Sequence, residues 1–416
     1  MSRDWQTARL ADICEMIARG VAPKYIESGG ICVLNQKCVR DHVINIELAR
    51  RHDINAKRVQ EERYVRAGDV LVNSTGYGTL GRVAQARQIP AEPTTVDTHV
   101  TIVRPKSGIF VPEFFGYMLI SIENEIAEAG EGASGQTELS RNTLATQFKV
   151  SFPRSLTEQK RIVAILDEAF AGINAAVANA EKNLANAREL FVSSLTSVFA
   201  HLGGEYPQYE LVDLCHTDRV ITYGVIKLGT EVDDGIPCLR TSNVRWLHID
   251  TKGIKRIAPS LSEEFARTVL RGGEVLINVR GTLGGVAVVA PEMAGWNVSR
   301  EVAVVPVDPS LVLSRYVAYW IGTRSSQTWL SGVKKGVAYV GINIEDLRTL
   351  PVPVVPLLEQ GNIVAQLEEL HGYAKRLEAT YRQRLVFLSQ LKQSILQKAF
   401  AGELTVKEAE RAMAAV

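Results

Sequence analysis

Leu156-Thr157-Glu158-Gln159-Lys160-Arg161-Ile162-Val163 opens a long helical segment, and its core, Glu-Gln-x-x-Ile-Val-x-x-Leu, returns at Glu359-Gln360, Ile363-Val364 and Leu367. The displacement is 201 residues. Upstream, Leu10-x-Asp12-x-Cys14 returns as Leu211-x-Asp213-x-Cys215 with the same displacement. Gly68-Asp69-Val70-Leu71-Val72-Asn73 matches Gly273-Glu274-Val275-Leu276-Ile277-Asn278, now displaced by 205. Thr79-Leu80-Gly81-x-Val83-Ala84 matches Thr282-Leu283-Gly284-x-Val286-Ala287, and Gly135 and Asn142 match Gly336 and Asn343. Ordered matches with drifting offsets mean two copies with loop insertions.

Each copy has the same internal grammar. Short β patterns come first: Val70–Asn73 and Val100–Val103 in one copy, Val275–Asn278 and Val302–Val305 in the other, punctuated by Gly, Pro and Asn. A short helix is expected over Glu113–Ala127 and again over Leu313–Ser331. Long helices are expected over roughly 156–200 and 357–400. Ser155-x-x-Glu158 reads as a capping box, Pro356 as a first-turn proline and Gly402 as a stop. Apolar residues at Ile363, Leu367, Leu370, Ala374, Leu377, Tyr381, Leu388, Leu391 and Ile395 form a heptad stripe that wants a partner helix. The first helix carries Ile162, Leu166, Ile173, Ala176, Ala180, Ala187 and Leu190 on a comparable stripe. A helix of ~44 residues is about 65 Å long. If the two pair antiparallel, the β-rich units lie at opposite ends about a pseudo-two-fold axis, the symmetry with which duplex half-sites are commonly spanned. The expected class is α+β: globular domains over 1–154 and 204–355, long helices over 155–203 and 356–404, and a tail at 405–416.

Composition narrows the function classes. In 416 residues, 46% are hydrophobic and 47 Lys plus Arg nearly cancel 46 Asp plus Glu. High apolar content with almost no net charge excludes a disordered chain and a polybasic coat for any polyanion. No apolar stretch approaching a bilayer span and no secretory leader stand out, so the chain reads as cytoplasmic, with no membrane partner. Cys14, Cys32, Cys38, Cys215 and Cys238 are odd in number and without a Cys-x-x-Cys pair, which fits buried reduced thiols better than disulfides or zinc.

With both helix entries, the Gly-Asp-Val-Leu-Val-Asn strand before a Gly-rich turn, and the ending Leu396-Gln397-Lys398-Ala399-Phe400-Ala401-Gly402-Glu403-Leu404, the chain resembles the specificity (S) subunit of type I restriction–modification systems, the HsdS family. That resemblance implies two target-recognition domains, each reading half of a bipartite, asymmetric site in double-stranded DNA. It implies helices that separate these domains and bind two modification (adenine-N6 methyltransferase) subunits, with restriction subunits completing an ATP-dependent nuclease. S-adenosylmethionine, ATP and Mg are then expected on the partner subunits and no cofactor on this chain. Candidate partner contacts on the helices are Glu158, Gln159, Glu359, Gln360, Leu385, Val386 and Phe387. The second entry departs from the first in reading Gly361-Asn362 where the first has Lys160-Arg161.

Candidate DNA contacts begin with the Gly-rich turns. Asn73, Ser74, Thr75, Tyr77 and Arg82 lie in one, Arg280 and Thr282 in the other. Backbone N–H groups of such turns cradle phosphates, while the competing reading is a tight hairpin whose glycines only satisfy positive φ. Arg50, Arg51, Lys57 and Arg58, with Lys334 and Lys335 in the second copy, offer phosphate contacts. The alternative is a solvated face, because the halves balance at 18 basic against 18 acidic residues in 1–150 and 16 against 16 in 205–350. Arg240, Thr241 and Asn243 occupy the loop that corresponds to Gln36 and Lys37; Arg and Asn or Gln are the side chains that pair with guanine and adenine edges, and ordinary loop polarity explains them equally well.

No catalytic template fits. There is no Gly-x-x-x-x-Gly-Lys-Ser/Thr loop, no Asn/Asp-Pro-Pro-Tyr/Phe segment, no Gly-x-Gly-x-x-Gly opening a helix and no His-Glu-x-x-His. Neither catalytic nor metal-ligating residues are expected. The function expected is non-catalytic DNA specificity, against the alternative of a duplicated coiled-coil protein scaffold that does not touch DNA.

Overall fold

The computed structural model describes residues 4–88, 90–130, 137–333 and 341–404. The chain divides into two compact units: Met1–Glu181 with Gln383–Val416, and Lys182–Arg382. Both boundaries fall inside long helices, which run Leu156–Glu205 and Leu357–Phe400. Each unit therefore owns half of each helix.

In the first unit the central sheet is antiparallel, in the order Cys14–Arg19, Val100–Pro105, Val70–Asn73, Val83–Gln85. Strands Val100–Pro105, Val70–Asn73 and Val83–Gln85 are buried on both faces while edge strand Cys14–Arg19 is only partly so, and alternation decides which core each side chain enters. Val70, Val72, Val83 and Val103 join the helical core, while Leu71, Ala84, Val100 and Ile102 turn to a second core. That second core lies under a mixed sheet in which Ile31–Leu34 pairs parallel with Thr94–Val96 and antiparallel with Arg50–His52, with Tyr25–Ile26 at the edge. A clasp of Trp5–Arg9 on Lys149–Pro153 closes the unit just before the long helix begins.

The second unit repeats this plan. Thr222–Tyr223, Val302–Val305, Val275–Asn278 and Val286–Val288 form the central sheet, and Gln208–Glu210 clasps Pro351–Pro353. Val275 and Ile277 again face the helical core and Leu276 the opposite one. Ile236–Leu239 pairs antiparallel with Lys255–Ile257 and parallel with Asn297–Val298. The duplication is thus visible in strand order and register as well as in sequence.

Each expected short helix is broken in two. One becomes Pro112–Ser121 and Glu123–Glu128, interrupted at Ile122 with ψ 14°; the other becomes Ser314–Gly322 and Arg324–Gly332, where Thr323 leaves helical geometry to cap the second piece through Ser326 N.

In the first unit Ile162, Leu166, Ala169 and Ile173 share a core with Leu388, Ile395, Leu396 and Ala399. In the second, Phe191, Leu195, Phe199 and Leu202 share one with Ile363, Leu367 and Ala374. Leu190, expected on the stripe, is 53% exposed. The buried line steps four residues from Ala187 to Phe191 because the helix repeat is 3.6 rather than 3.5. Leu377 is likewise exposed. The first long helix holds an 18-residue window of mean hydropathy 1.4 within Leu156–Leu202, long and apolar enough to cross a bilayer and 39% buried, contrary to the expectation from the sequence. Its buried stripe of Ile162, Leu166, Ile173 and Ala180 is accounted for by core packing.

Candidate nucleic-acid interface

In the first unit the Gly-rich turn leaves the sheet at Asn73 and returns at Arg82, closed by Asn73 N to Arg82 O at 2.9 Å and Gly81 N to Asn73 O at 2.8 Å. Gly76, Gly78 and Gly81 all have positive φ, and a Cβ on Gly81 would lie 2.5 Å from Ala127 Cα. Glycine is thus required by conformation and by close approach. Tyr77 projects from the tip, 89% exposed. Thr75 donates to or accepts from His99 Nδ1 at 2.6 Å.

Two expected contacts are corrected here. Asn73 and Ser74 are fully buried. Asn73 Nδ2 donates to Gln36 O at 2.9 Å and Ser74 Oγ lies 2.5 Å from Thr101 Oγ1, so both brace the turn from beneath. Arg82 folds back, Nη2 donating to Gly78 O at 2.8 Å. Gln36, which the Asn73 bond draws to the turn, and exposed Lys37 stand beside it.

The basic run is partly spoken for. Arg51 forks onto Glu92 at 2.7 and 2.9 Å and also donates to Gly29 O and Gly30 O; this pairing raises the Arg51 pKa and lowers that of Glu92. Lys57 Nζ donates to Ala22 O at 3.0 Å. Arg58 is exposed. Arg50 stacks on the Tyr25 ring at 3.4 Å; Tyr25 Oη donates to Asp97 Oδ2 at 3.5 Å, and Asp97 Oδ1 accepts from His99 N at 2.9 Å. With Thr75, this makes one polar chain from Arg50 to the turn. Burial lifts the Asp97 carboxyl above its ordinary range. Tyr25, Asp97 and His99 carry no local sequence signal for this role, since nothing in the chain marks residues joined across 72 positions.

The second unit places Arg240 and Thr241 beside its own turn. Asn278 Nδ2 donates to Val244 O and Thr282 O at 3.0 Å and reaches Thr241 O at 3.4 Å, tying loop to turn. A Cβ on Gly285 would meet Asn278 Nδ2 at 2.3 Å. Arg280 and Thr282 are exposed, with the Arg280 guanidinium 5.5 Å from the Tyr223 ring centre. Asn243 is corrected to a structural role: it is 1% exposed, Nδ2 donates to Asp250 O at 3.0 Å and Oδ1 accepts from Arg240 N at 3.1 Å. Glu301 stands where the first copy has His99, its carbonyl accepting from Val279 N at 2.9 Å. Lys334 and Lys335 lie outside the described residues.

On the helices, Gln159 and Gln360 are also corrected. Both are fully buried. Gln159 accepts from Val111 N at 2.8 Å and donates to Ile109 O and Pro153 O; Gln360 accepts from Leu313 N at 2.8 Å and donates to Leu311 O and Val355 O. Each amide bolts a helix start to its own unit and is closed to a partner. Glu158 pairs with Arg161 at 2.7 Å, and Glu359 accepts from Tyr206 Oη at 3.2 Å. Val386 and Phe387 are 57% and 47% exposed, with Leu385 half-buried.

A family model, the type I restriction modification DNA specificity domain, matches residues 2–183 and 233–385. The chain belongs to this family. Specificity subunits are the non-catalytic members of type I systems. The EcoBI specificity subunit of Escherichia coli is 29% identical over 197 residues, which cover 47% of this chain and 41% of that relative's own length. A chain solved in work on complex assembly and conformational transition of the type I system matches with TM-score 0.74 at 20% identity, covering 97% of this chain and 99% of that one. The HsdS subunit crystal structure from Thermoanaerobacter tengcongensis gives TM-score 0.54 at 20% identity, covering 97% and 98%. At these identities the likeness shows the fold.

Proposed function

We propose that this specificity-family chain recognises a bipartite, asymmetric site in double-stranded DNA, one half through each unit, with the long helices paired antiparallel as the spacer. The observation that carries this is one scaffold bearing two chemistries. Gln36, Thr75, Tyr77 and His99 surround the first turn, and Arg240, Thr241, Arg280 and Thr282 with Glu301 surround the second. Identical strand registers beneath unlike polar groups suit two readers of unlike sequence, since base edges are distinguished by donor and acceptor pattern. Arg50 and Arg58 supply phosphate contact, the sequence-independent part of affinity.

The exposed Val386 and Phe387 favour a protein partner on the helices, and two modification subunits with restriction subunits are the partners proposed. S-adenosylmethionine, ATP and Mg would be bound by those subunits, within the cytoplasm. The test is fluorescence anisotropy of a labelled duplex with this chain and its modification subunit, across a salt series. Site-specific affinity that falls linearly in log–log form with salt supports the reading. Stable assembly of the proteins with no salt-dependent affinity for any duplex would point instead to a protein scaffold.

A further inference from the structure

The two copies solve one corner of the fold differently. In the second unit the hairpin Val244–Arg245/His248–Ile249 lays Trp246 into a corner against the helices. There Phe191 lies 5.6 Å from Trp246 and 6.3 Å from Tyr319, and stacks on His371 at 4.4 Å with 9° between planes. Trp246 Nε1 donates to Gly322 O at 3.1 Å. Aromatic side chains fill the corner.

In the first unit the same alignment puts Asp41 at the position of Trp246, Lys392 at that of Phe191, Phe170 at that of His371 and Arg87 at that of Ala290. The corner holds a cavity of about 890 Å³, lined by Asp41, His42, Arg87, Tyr117, Phe170 and Lys392 among others. That volume lies in the range of small-molecule sites, roughly 300–1,000 Å³. Asp41 and His42 turn the hairpin with φ 52° and 62°, a left-handed conformation that costs energy in residues other than glycine.

The cavity carries two cations whose nearby carboxylates are shared with other partners. Lys392 Nζ donates to His42 Nδ1 at 3.1 Å and sits 5.3 Å from the centre of the Phe170 ring. Burial lowers its pKa. Glu123 accepts from Val83 N at 2.8 Å and lies 3.4 Å from His42 Nε2. Arg87 stacks over Tyr117 at 4.9 Å and reaches Asp167 only at 3.5 Å, while that carboxylate accepts the Tyr117 hydroxyl at 2.5 Å. Asp41 lies 3.4 Å from Arg40. A half-buried ammonium that no carboxylate among the described residues contacts gains from an incoming anion.

We propose that this corner of the first unit is a binding site for a small organic anion, a phosphate or carboxylate carried on a flat apolar body. Lys392 and Arg87 take the charge. Phe170, Ile44, Ile46 and Ile120 take the body, and Asn174 and Gln88 offer amide groups at the wall.

The test is a fluorescence titration of the full chain with 1-anilinonaphthalene-8-sulfonate. Adenosine monophosphate serves as the phosphate competitor and indole-3-propionate as the carboxylate one. Saturable binding at one site is expected, and the stronger competitor identifies the headgroup. Lys392→Met and Arg87→Gln should each weaken binding about tenfold, the loss of one charge-assisted contact. Asp41→Trp, which installs the second copy's indole, should abolish it while the circular dichroism melt is retained. Wild-type affinity in Arg87→Gln and Asp41→Trp, or no saturable binding of any of the three probes up to millimolar concentration, overturns the proposal. Should Lys392→Met fail to fold, those two variants still decide.

Discussion

Arg104 forks onto Asp69, Nε to Oδ1 and Nη2 to Oδ2 both at 2.7 Å, with side chains 7% and 1% exposed. The same guanidinium donates to Glu62 O and Tyr64 O, and Asp69 Oδ2 accepts from Arg66 N at 2.7 Å. The pair thereby pins the turn before strand Val70–Asn73 to the neighbouring strand. Removing Asp69 leaves the buried guanidinium only the distant, half-exposed Glu15 carboxylate at 3.9 Å. Asp69→Ala is expected to destabilise the protein by about 3–5 kcal/mol, whereas Asp69→Leu with Arg104→Met should recover much of it. Urea unfolding of the three proteins measures this. A loss under about 1 kcal/mol in Asp69→Ala would show that the pair is not a buried structural unit.

The second unit solves the same problem with Glu274, whose Oε1 accepts from Arg271 N at 2.8 Å and from Arg219 Nη1 at 2.9 Å. The acidic residue of each Gly-Asp/Glu-Val motif was legible in the sequence because it recurs at a fixed place. Its arginine was not, since Arg104 comes from the adjacent strand and Arg219 from a loop far upstream. The same distinction runs through the candidate site. Repeats and hydrophobic period gave away two central strands in each unit, both long helices and the Gly-rich turns, but not short or half-exposed strands such as Cys14–Arg19 and Trp5–Arg9. Asn73, Ser74 and Asn243 read as DNA contacts and Gln159 and Gln360 as partner contacts, yet they satisfy buried polar groups inside the fold. A polar side chain looks the same in sequence whether it faces water or an orphaned carbonyl. Leu190 and Phe191 are adjacent apolar residues, and only packing chooses between them.

Gln159 and Gln360 offer an internal replicate. Gln159→Leu keeps the volume but leaves Val111 N, Ile109 O and Pro153 O without their partner. Unsatisfied buried groups cost about 1–3 kcal/mol each before relaxation, so a destabilisation of a few kcal/mol is expected. Hydrogen exchange should report it at Val111 and leave Leu313 protected, and Gln360→Leu should reverse the pattern. Surface-like behaviour of both variants, with unchanged exchange, would restore these glutamines as candidates for partner contact.

His371 supplies a pH dependence. Burial, then the charge of nearby Lys375, lowers its pKa from 6.5 to about 4. The unfolded chain therefore binds the proton more readily, and stability rises with pH wherever it does so. The contribution is complete above about pH 6.5 and declines as pH falls toward 4. His371→Phe, which keeps a ring on Phe191, should flatten the thermal-melting midpoint against pH across that window. A slope as steep as in the wild type would assign the dependence to other groups.

The two turns should be separable in DNA binding. Arg280→Ala in the complex with modification subunits is expected to weaken site-specific binding roughly tenfold, about 1–3 kcal/mol for a base contact. If Arg280 contacts phosphate instead, binding weakens uniformly across sequences and the salt slope falls by about one. Tyr77→Ala should impair discrimination at the other half-site. Competition with duplexes scrambled in one half at a time measures both. Equal loss at both halves from either variant would argue against one reader per unit.

The spacer reading makes the most direct prediction. The unit boundaries at Glu181/Lys182 and Arg382/Gln383 fall within the long helices. Four helix-favouring residues inserted at each boundary lengthen both helices by about 6 Å, at 1.5 Å per residue, while adding close to one full turn. Paired stripes then remain roughly in phase, and neither reading surface is touched. With a rise of about 3.4 Å per base pair, the preferred distance between half-sites should grow by one to two base pairs. Methylated-adenine mapping on a library of duplexes with graded spacers gives the answer. A spacer preference that does not move would mean that something other than helix length sets the separation.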